Sequence, residues 1–408
     1  VNTPPRTATV VFIFITVVLD VLALGVVIPV LPKLIEAFLD GNTARAAEIN
    51  GGFSTAWALM QFIFSPLLGA VSDRYGRRPV ILISCLGLGL DYLLMAMAPT
   101  LAWLFIGRVI SGITAASFST AGAYIADVTP PDKRAGAFGM IGAAWGLGFV
   151  IGPAVGGLLG GIEPRLPFWV AGALALANFT YGLFVLPESL PRERRSASFS
   201  WKRANPLGAL TLLRSHRELF GLAGVNALYW FAHYALPSTF VLYTSHRYGW
   251  GAQTVGLTLA AVGICNVLVQ AVLVRRVVPL IGERRALLLG LAAGAGGFAL
   301  YGLAPSGIWF WAGLPVFALM GFFGPALQAL MSRHVSPQEQ GQLQGANSSA
   351  SALVGLLAPG TFSVVFAWSI DPAVGWHMPG ASMLLAAAVT VLALALGARV
   401  TRREAASA

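Results

Sequence analysis

The decapeptide GAVSDRYGRR at 69–78 sets three arginines and an aspartate between two long apolar runs, a pattern suited to a short polar loop joining two membrane-crossing helices. The loop has a counterpart. Adding 206 to Gly76 gives Gly282 in the basic segment PLIGERR, 279–285, which again separates two apolar runs. The same shift carries Gly139 to Gly345, Pro153 to Pro359, Trp103 to Trp309 and Gly107 to Gly313. The chain is one half written twice, and such internal repeats build folds whose two halves rock about a central site.

Composition agrees with a bilayer setting. Apolar residues make up 57% of the chain and charged residues only 10%, where a soluble domain carries about 25% charge. Mean hydropathy is +0.75. Apolar runs predict an all-α membrane protein of twelve transmembrane helices near 9–30, 50–71, 79–98, 102–124, 136–160, 166–187, 219–243, 253–274, 286–304, 308–330, 345–367 and 378–398. They divide into a six-helix half at 1–187, a linker at 188–217 and a second six-helix half at 218–408. The 47 glycines, many inside these runs, suit close helix packing. Cys85 and Cys265 lie within spans, read as small buried side chains, and offer no metal spacing.

The net charge of +10 raises nucleic-acid binding, and the placement of the basic residues argues against it. All but five of the 26 Lys and Arg fall at the termini or in the loops after predicted helices 2, 4, 6, 8 and 10. The exceptions are Lys33, Arg45, Arg165 and Arg247 in the opposite loops and Arg108 inside a helix. The positive-inside rule therefore puts both termini in the cytoplasm. The first span has no evident cleavage site and reads as a retained helix. The linker carries seven basic residues, an attraction for anionic lipid.

Ionisable residues deep in a membrane are expensive and mark function or a permanent structural pair. Asp20 in helix 1 and Asp91 in helix 3 each lie about 16–18 Å along their spans, near the midplane. Arg108 sits about 9 Å into helix 4. An ion pair between Arg108 and either aspartate, released on protonation, would form a proton-coupling switch. In helix 7, Asn226, Tyr229, Trp230 and His233 follow helical spacing on one face, which fits either an aromatic substrate surface or ordinary core packing. Gln61, Asn178, Asn266, Gln270 and Gln328 add hydrogen-bonding capacity, and of these Gln61 and Gln328 join the substrate-binding expectation.

In the 69–78 loop, Asp73 can accept hydrogen bonds from a helix N-terminus, while Arg74, Arg77 and Arg78 can reach carboxylates near helix 4. The repeat loop keeps Arg284 and Arg285 but has Pro279 where Asp73 maps. In helix 5, Gly148, Gly152 and Gly156 recur every four residues beside Pro153 and Gly157, giving a face for close backbone approach with a proline bend.

These segments resemble the major facilitator superfamily: GAVSDRYGRR its helix 2–3 signature, GRVISG at 107–112 its helix 4 signature, and GFVIGPAVGG at 148–157 its helix 5 antiporter motif. PALQALMSR at 325–333, QGQLQG at 340–345 and LDVLALGVVIPVLP at 19–32 are similar to the tetracycline-exporter branch. The resemblance implies a drug:proton antiporter that moves a small amphipathic compound, such as a tetracycline, by alternating access across a bacterial inner membrane. It implies that Asp73 meets the start of helix 11, that an arginine of the loop pairs with Asp127 as a latch, and that Asp20 lies on a cavity-lining helix as the proton carrier. Asp91 matches an acidic position of the branch. One departure is Gly294, where tetracycline exporters carry an aspartate.

The expected partners are a small-molecule substrate, protons and lipid, acting on a monomer, with neither nucleic acid nor cofactor. No covalent chemistry is implied, and no GxxxxGKT loop is present to hold ATP phosphates. The alternatives are export of a different drug or metabolite, import on the same fold, and a non-transporting sensor.

Overall fold

The chain, seen in a computed structural model, is described over residues 6–114, 117–129, 134–195, 217–335, 340–374 and 377–407. The apolar runs fold as helices because hydrocarbon offers no partner for unpaired backbone groups, and a helix satisfies them within one segment. In chain order they are α1 (Arg6–Val27), α2 (Thr43–Tyr75), α3 (Arg77–Met97), α4 (Leu101–Thr114 and Ser117–Val128), α5 (Arg134–Ile162) and α6 (Leu166–Val185). The second half holds α7 (Arg217–His233 and Ala235–Tyr248), α8 (Ala252–Ile281), α9 (Glu283–Leu303), α10 (Gly307–Ser332), α11 (Gln340–Ile370) and α12 (Ala381–Ser407). Among the described residues, ten helices are long and apolar enough to cross a membrane. The two expected spans outside that group are α4 and α7, each recorded as two helical segments.

Several helices outrun their apolar stretches. The 33-residue α2 begins at Thr43, before the expected residue 50, because TARAAEI is polar but rich in helix formers. Within α8 the ladder widens to a π-turn at Val269–Leu273, and within α10 it tightens to a 3₁₀ turn at Leu319–Phe322. Both basic loops turn on a glycine at positive φ, Gly76 at 109° and Gly282 at 80°. A side chain is strained there, so both halves depend on glycine at the same repeat position.

Two compact units emerge. The first comprises Val1–Asp40, Ala56–Asn205 and Gly251–Ala260, the second Gly41–Thr55, Pro206–Trp250 and Ala261–Ala408. The opening turns of α2 thus belong to the second unit and those of α8 to the first. These exchanged ends stop at Thr55 and Ala260, one residue from a perfect 206 shift. In the first unit, Ile13, Val17 and Val21 pack with Ile81, Ala121, Tyr124 and Ala144. The second unit is built around Leu219, Leu222, Leu287, Leu291, Phe322, Phe323 and Leu327. Of the linker, residues 188–195 are described and carry a short turn at Arg192–Arg194; Lys202, Arg203 and Arg214 lie outside the described residues.

Candidate functional site

Asp20 sits on α1 and is 5% exposed. Its side chain is directed into the first unit, toward α3 and α6. Asn178 Nδ2 donates to Asp20 Oδ1 at 2.9 Å and also to the Thr16 carbonyl at 2.9 Å. The Cys85 thiol lies 3.8 and 3.9 Å from the two carboxylate oxygens. The sequence reading treated Cys85 as packing and Asn178 as a generic polar residue, because helical periodicity gives the phase of each helix but not which faces meet.

Asp91, 1% exposed on α3, lies against α4, where its Oδ1 would be 2.8 Å from a Cβ placed on Gly107. Neither Asp91 oxygen makes a well-formed hydrogen bond, with Ser111 the side chain disposed to donate to it, and Arg108 Nε and Trp57 Nε1 are likewise without a partner. The expected ion pair of Arg108 with Asp20 or Asp91 is not formed. The Arg108 guanidinium instead lies over the Trp57 ring at 5.4 Å and interacts with Asp91 electrostatically at longer range. The aromatic face shares the charge, so burial does not force direct contact with a carboxylate. Trp57 and Ser111 were not singled out from sequence.

The α2–α3 loop is an interlocked network. Arg77 Nε reaches Asp127 Oδ2 at 3.1 Å, and its Nη1 meets Asp73 Oδ1 at 2.5 Å and donates to Ser72 Oγ at 2.6 Å. Asp73 is therefore engaged by Arg77 from one turn away. Arg78 Nη2 donates to the Leu183 carbonyl at 2.6 Å, while Arg74 is exposed above Tyr75. The residues after α6 close over this loop: Glu188 Oε1 accepts from the Arg77 and Leu190 backbone N–H groups at 2.9 and 3.0 Å, and Ser189 Oγ donates to Asp127 Oδ2 at 3.1 Å. Glu188 and Ser189 are additions that no local spacing announced.

On α5 the glycine face meets α1 backbone to backbone. A Cβ on Gly152 would lie 2.7 Å from Gly25 Cα, one on Gly148 would strike Val21, and one on Gly156 would overlap the Val26 carbonyl. Gly157 is turned toward the opening turns of α8, 2.8 Å from Gly256 Cα by the same construction, and the Pro153 carbonyl faces Gly256. Small residues on two faces thus let α5 pack tightly against two helices at once.

The α7 stripe does not form one open surface. Tyr229 stacks on Phe323 with centroids 3.9 Å apart and on His233 at 5.7 Å, and His233 continues to Phe317 at 6.3 Å. Trp230 stays 37% exposed while Asn226 is 5% exposed, so the stripe is mainly a wall of stacked rings against α10. His233 Nδ1 is buried without a partner. Gln61 and Gln328 are partly exposed on α2 and α10. At Gly294 a Cβ would fall 2.9 Å from Met320 Sδ, so methionine fills the place of a branch carboxylate.

The profile described as "Major Facilitator Superfamily" matches residues 13–359. The chain is 36% identical to "Tetracycline resistance protein, class C" of Escherichia coli over 93% of each chain. It is 37% identical to the class G protein of Vibrio anguillarum over 88% of this chain and 90% of that one. Among solved structures, the human organic anion transporter MFSD10 (TETRAN) superposes with a TM-score of 0.71 at 25% identity, covering 97% of this chain and all of that one. The nucleoside transporter NupG gives 0.75 at 15% identity over 96% and 99%, a likeness of fold.

Proposed function

The chain belongs to the Major Facilitator Superfamily, a secondary transporter without covalent chemistry, and from that premise we propose that it exports a small amphipathic drug in exchange for protons, with tetracycline the first candidate substrate. Similarity over 88–93% of the chain to the tetracycline resistance proteins supports the cargo. The single observation that carries proton coupling is Asp20, a carboxylate buried mid-helix and held by a neutral amide with no cation paired to it among the described residues. Such a group sits in the membrane either as a strained anion or as a neutral acid, and alternation between the two moves a proton.

In this reading Asp20 carries the proton, and Asp91 with Arg108 forms a second charge pair whose direct contact belongs to another state of the cycle. Both aspartates are dry here, so exchange with water requires a conformational change. The Arg77–Asp127–Asp73 network acts as the latch, and the α5 glycine face is the seam along which helices slide. Trp230, Asn226, His233, Gln61 and Gln328 are the proposed substrate contacts. The charge distribution supports both termini on the cytoplasmic side of a bacterial inner membrane, and the protein acts as a monomer.

The test is uptake of labelled tetracycline into inverted vesicles driven by an imposed pH gradient. Wild type accumulates drug and Asp20→Asn does not; accumulation indifferent to the gradient overturns the mechanism. One observation favours a different cargo: Gly294 and Met320 replace an acidic site of the branch with apolar packing. A resistance panel in cells expressing wild type or Asp20→Asn separates the two, since the true substrate is the compound whose tolerance disappears with the carboxylate.

A further inference from the structure

Asn178 gives up half of its own hydrogen bonding to face Asp20. Its Nδ2 lies between two acceptors, the Asp20 carboxylate and the Thr16 carbonyl, while its Oδ1 is buried with no partner. Buried amides usually satisfy both ends. With acceptors on the nitrogen side, the orientation is dictated by Asp20 and Thr16 and not by the needs of Asn178. Thr16 is one helical turn from Asp20, so the Thr16 carbonyl anchors the amide and the second N–H is left aimed at the carboxylate.

The titratable groups that interact with Asp20 are Cys85 and Tyr92 on α3; Arg77, Arg78 and Asp91 on α3, Arg108, Tyr124 and Asp127 on α4 and Tyr181 on α6 share those elements without a hydrogen bond or ion pair to it among the described residues. Cys85 is a weak donor at 3.8 Å, Tyr92 interacts only electrostatically, and the Tyr124 hydroxyl is committed to the Pro187 carbonyl at 2.8 Å. From α5, Gly148 and Gly152 lie against Val21 and Gly25. No arginine or lysine pairs with Asp20 among the described residues. Asn178 is therefore the one strong donor seen on this carboxylate.

We propose that Asn178 is the positioning residue that stabilises the ionised form of Asp20 inside the bilayer and so permits proton release during transport. It touches no substrate. The proposal rests on Asp20 being the coupling carboxylate. A neutral acid accepts the Asn178 N–H weakly and a carboxylate accepts it strongly, so the bond strengthens as the proton leaves.

The test uses the full-length protein reconstituted in liposomes. Reaction of Asp20 with dicyclohexylcarbodiimide, which attacks protonated carboxyls in apolar surroundings, is followed against pH by mass spectrometry, alongside the pH profile of tetracycline-driven proton flux. In Asn178→Leu, which installs the residue found at the repeat position Leu384, both midpoints are expected to move to higher pH by about one unit. Asn178→Ser keeps a donor in a smaller side chain, requires no extra room, and is expected to restore part of the shift. Superimposable labelling profiles for wild type and both variants overturn the proposal, as does a labelling shift that leaves the transport profile in place. Failure of the underlying coupling reading is distinguishable: Asp20→Asn would then still transport under gradient control, whereas the labelling profile of Asn178→Leu reports on Asn178 alone.

Discussion

The two halves share a backbone plan and divide the chemistry unequally. The 206 shift takes Asp20 to Asn226, Cys85 to Leu291, Asn178 to Leu384, Asp91 to Gly297, Arg108 to Leu314 and Ser111 to Phe317. Apart from Asp20 and its polar counterpart Asn226, these polar groups of the first unit stand where the second has leucine, glycine and phenylalanine. The seams differ as well. Gly25, Gly152 and Gly156 bring α1 and α5 into backbone contact, while their counterparts Phe231, Ala358 and Phe362 put rings between α7 and α11, with Phe231 and Phe362 5.3 Å apart. One copy carries buried charge and close backbone contact, the other aromatic packing. The repeat thus supplies a common frame, and the departures from it show where the two halves differ in chemistry.

The largest effect should follow from making the first half resemble the second at its buried acid. Asp20→Asn introduces the residue of Asn226, and gradient-driven uptake in inverted vesicles is expected to fall to the protein-free background. The reciprocal Asn226→Asp adds an unpaired charge to an apolar interior, which costs several kcal/mol. It should lower the yield of folded protein in detergent and not add a second coupling site. A double variant that transports normally would break the asymmetry argument.

Next is the seam. Gly25→Phe has no space, since even a Cβ would lie 2.9 Å from the Gly148 carbonyl oxygen and that atom is backbone. Misfolded protein is expected by size-exclusion chromatography. Phe231→Ala at the matching place removes a half-buried ring and should destabilise by about 1–3 kcal/mol while leaving a foldable protein. Equal tolerance of the two changes would remove the distinction between a backbone seam and a ring seam.

Sequence legibility follows the same divide. The helices, the repeat and the Gly76 and Gly282 turns were readable because apolar length and glycine are local signals. Resemblance implies that one of the loop arginines meets Asp127, and the one that does is Arg77, at 3.1 Å. What stayed hidden depends on helix rotation: Asp20 faces Asn178 and Cys85 and not Arg108, and Arg108 lies over Trp57. Tyr229 and His233 share one helical face as the spacing predicts, yet Phe323 and Phe317 close over that face from α10, 94 and 84 positions along the chain. Periodicity cannot reveal a partner so distant.

A smaller effect is expected at the loop. Arg77 is 10% exposed and contacts Asp73, Asp127 and Ser72, so Arg77→Ala leaves two carboxylates and a hydroxyl without their shared donor. Loss of about 2 kcal/mol is expected, read as a lowered thermal transition of purified protein. Asp127→Asn should lose less, because Asp73 remains paired. If Arg77→Ala unfolds at the wild-type temperature, the network adds nothing to stability in this state.

The smallest effect should come from the counterpart of that pair, and its sign is the sharpest test of the comparison. The 206 shift takes Arg77 to Glu283 and Asp127 to Arg333, so the ion pair recurs with its charges exchanged, Arg333 Nη2 lying 2.7 Å from Glu283 Oε1. Here the side chains are 61% and 32% exposed, against 10% and 22% in the first half. An exposed pair contributes about 0–1 kcal/mol and is screened by salt, whereas a sheltered, multiply bonded one is screened much less. Glu283→Gln should therefore shift the thermal transition little, and the shift should vanish in high salt. Reversing both charges, Glu283→Arg with Arg333→Glu, recreates the polarity of the first half and should restore wild-type behaviour if the pair acts by simple attraction. A double reversal that is worse than either single change would mean that Glu283 acts through its place at the start of α9, where a negative charge favours the helix N-terminus. The exchanged polarity would then be a requirement of the second half's own helix, independent of the ion-pair network in the first.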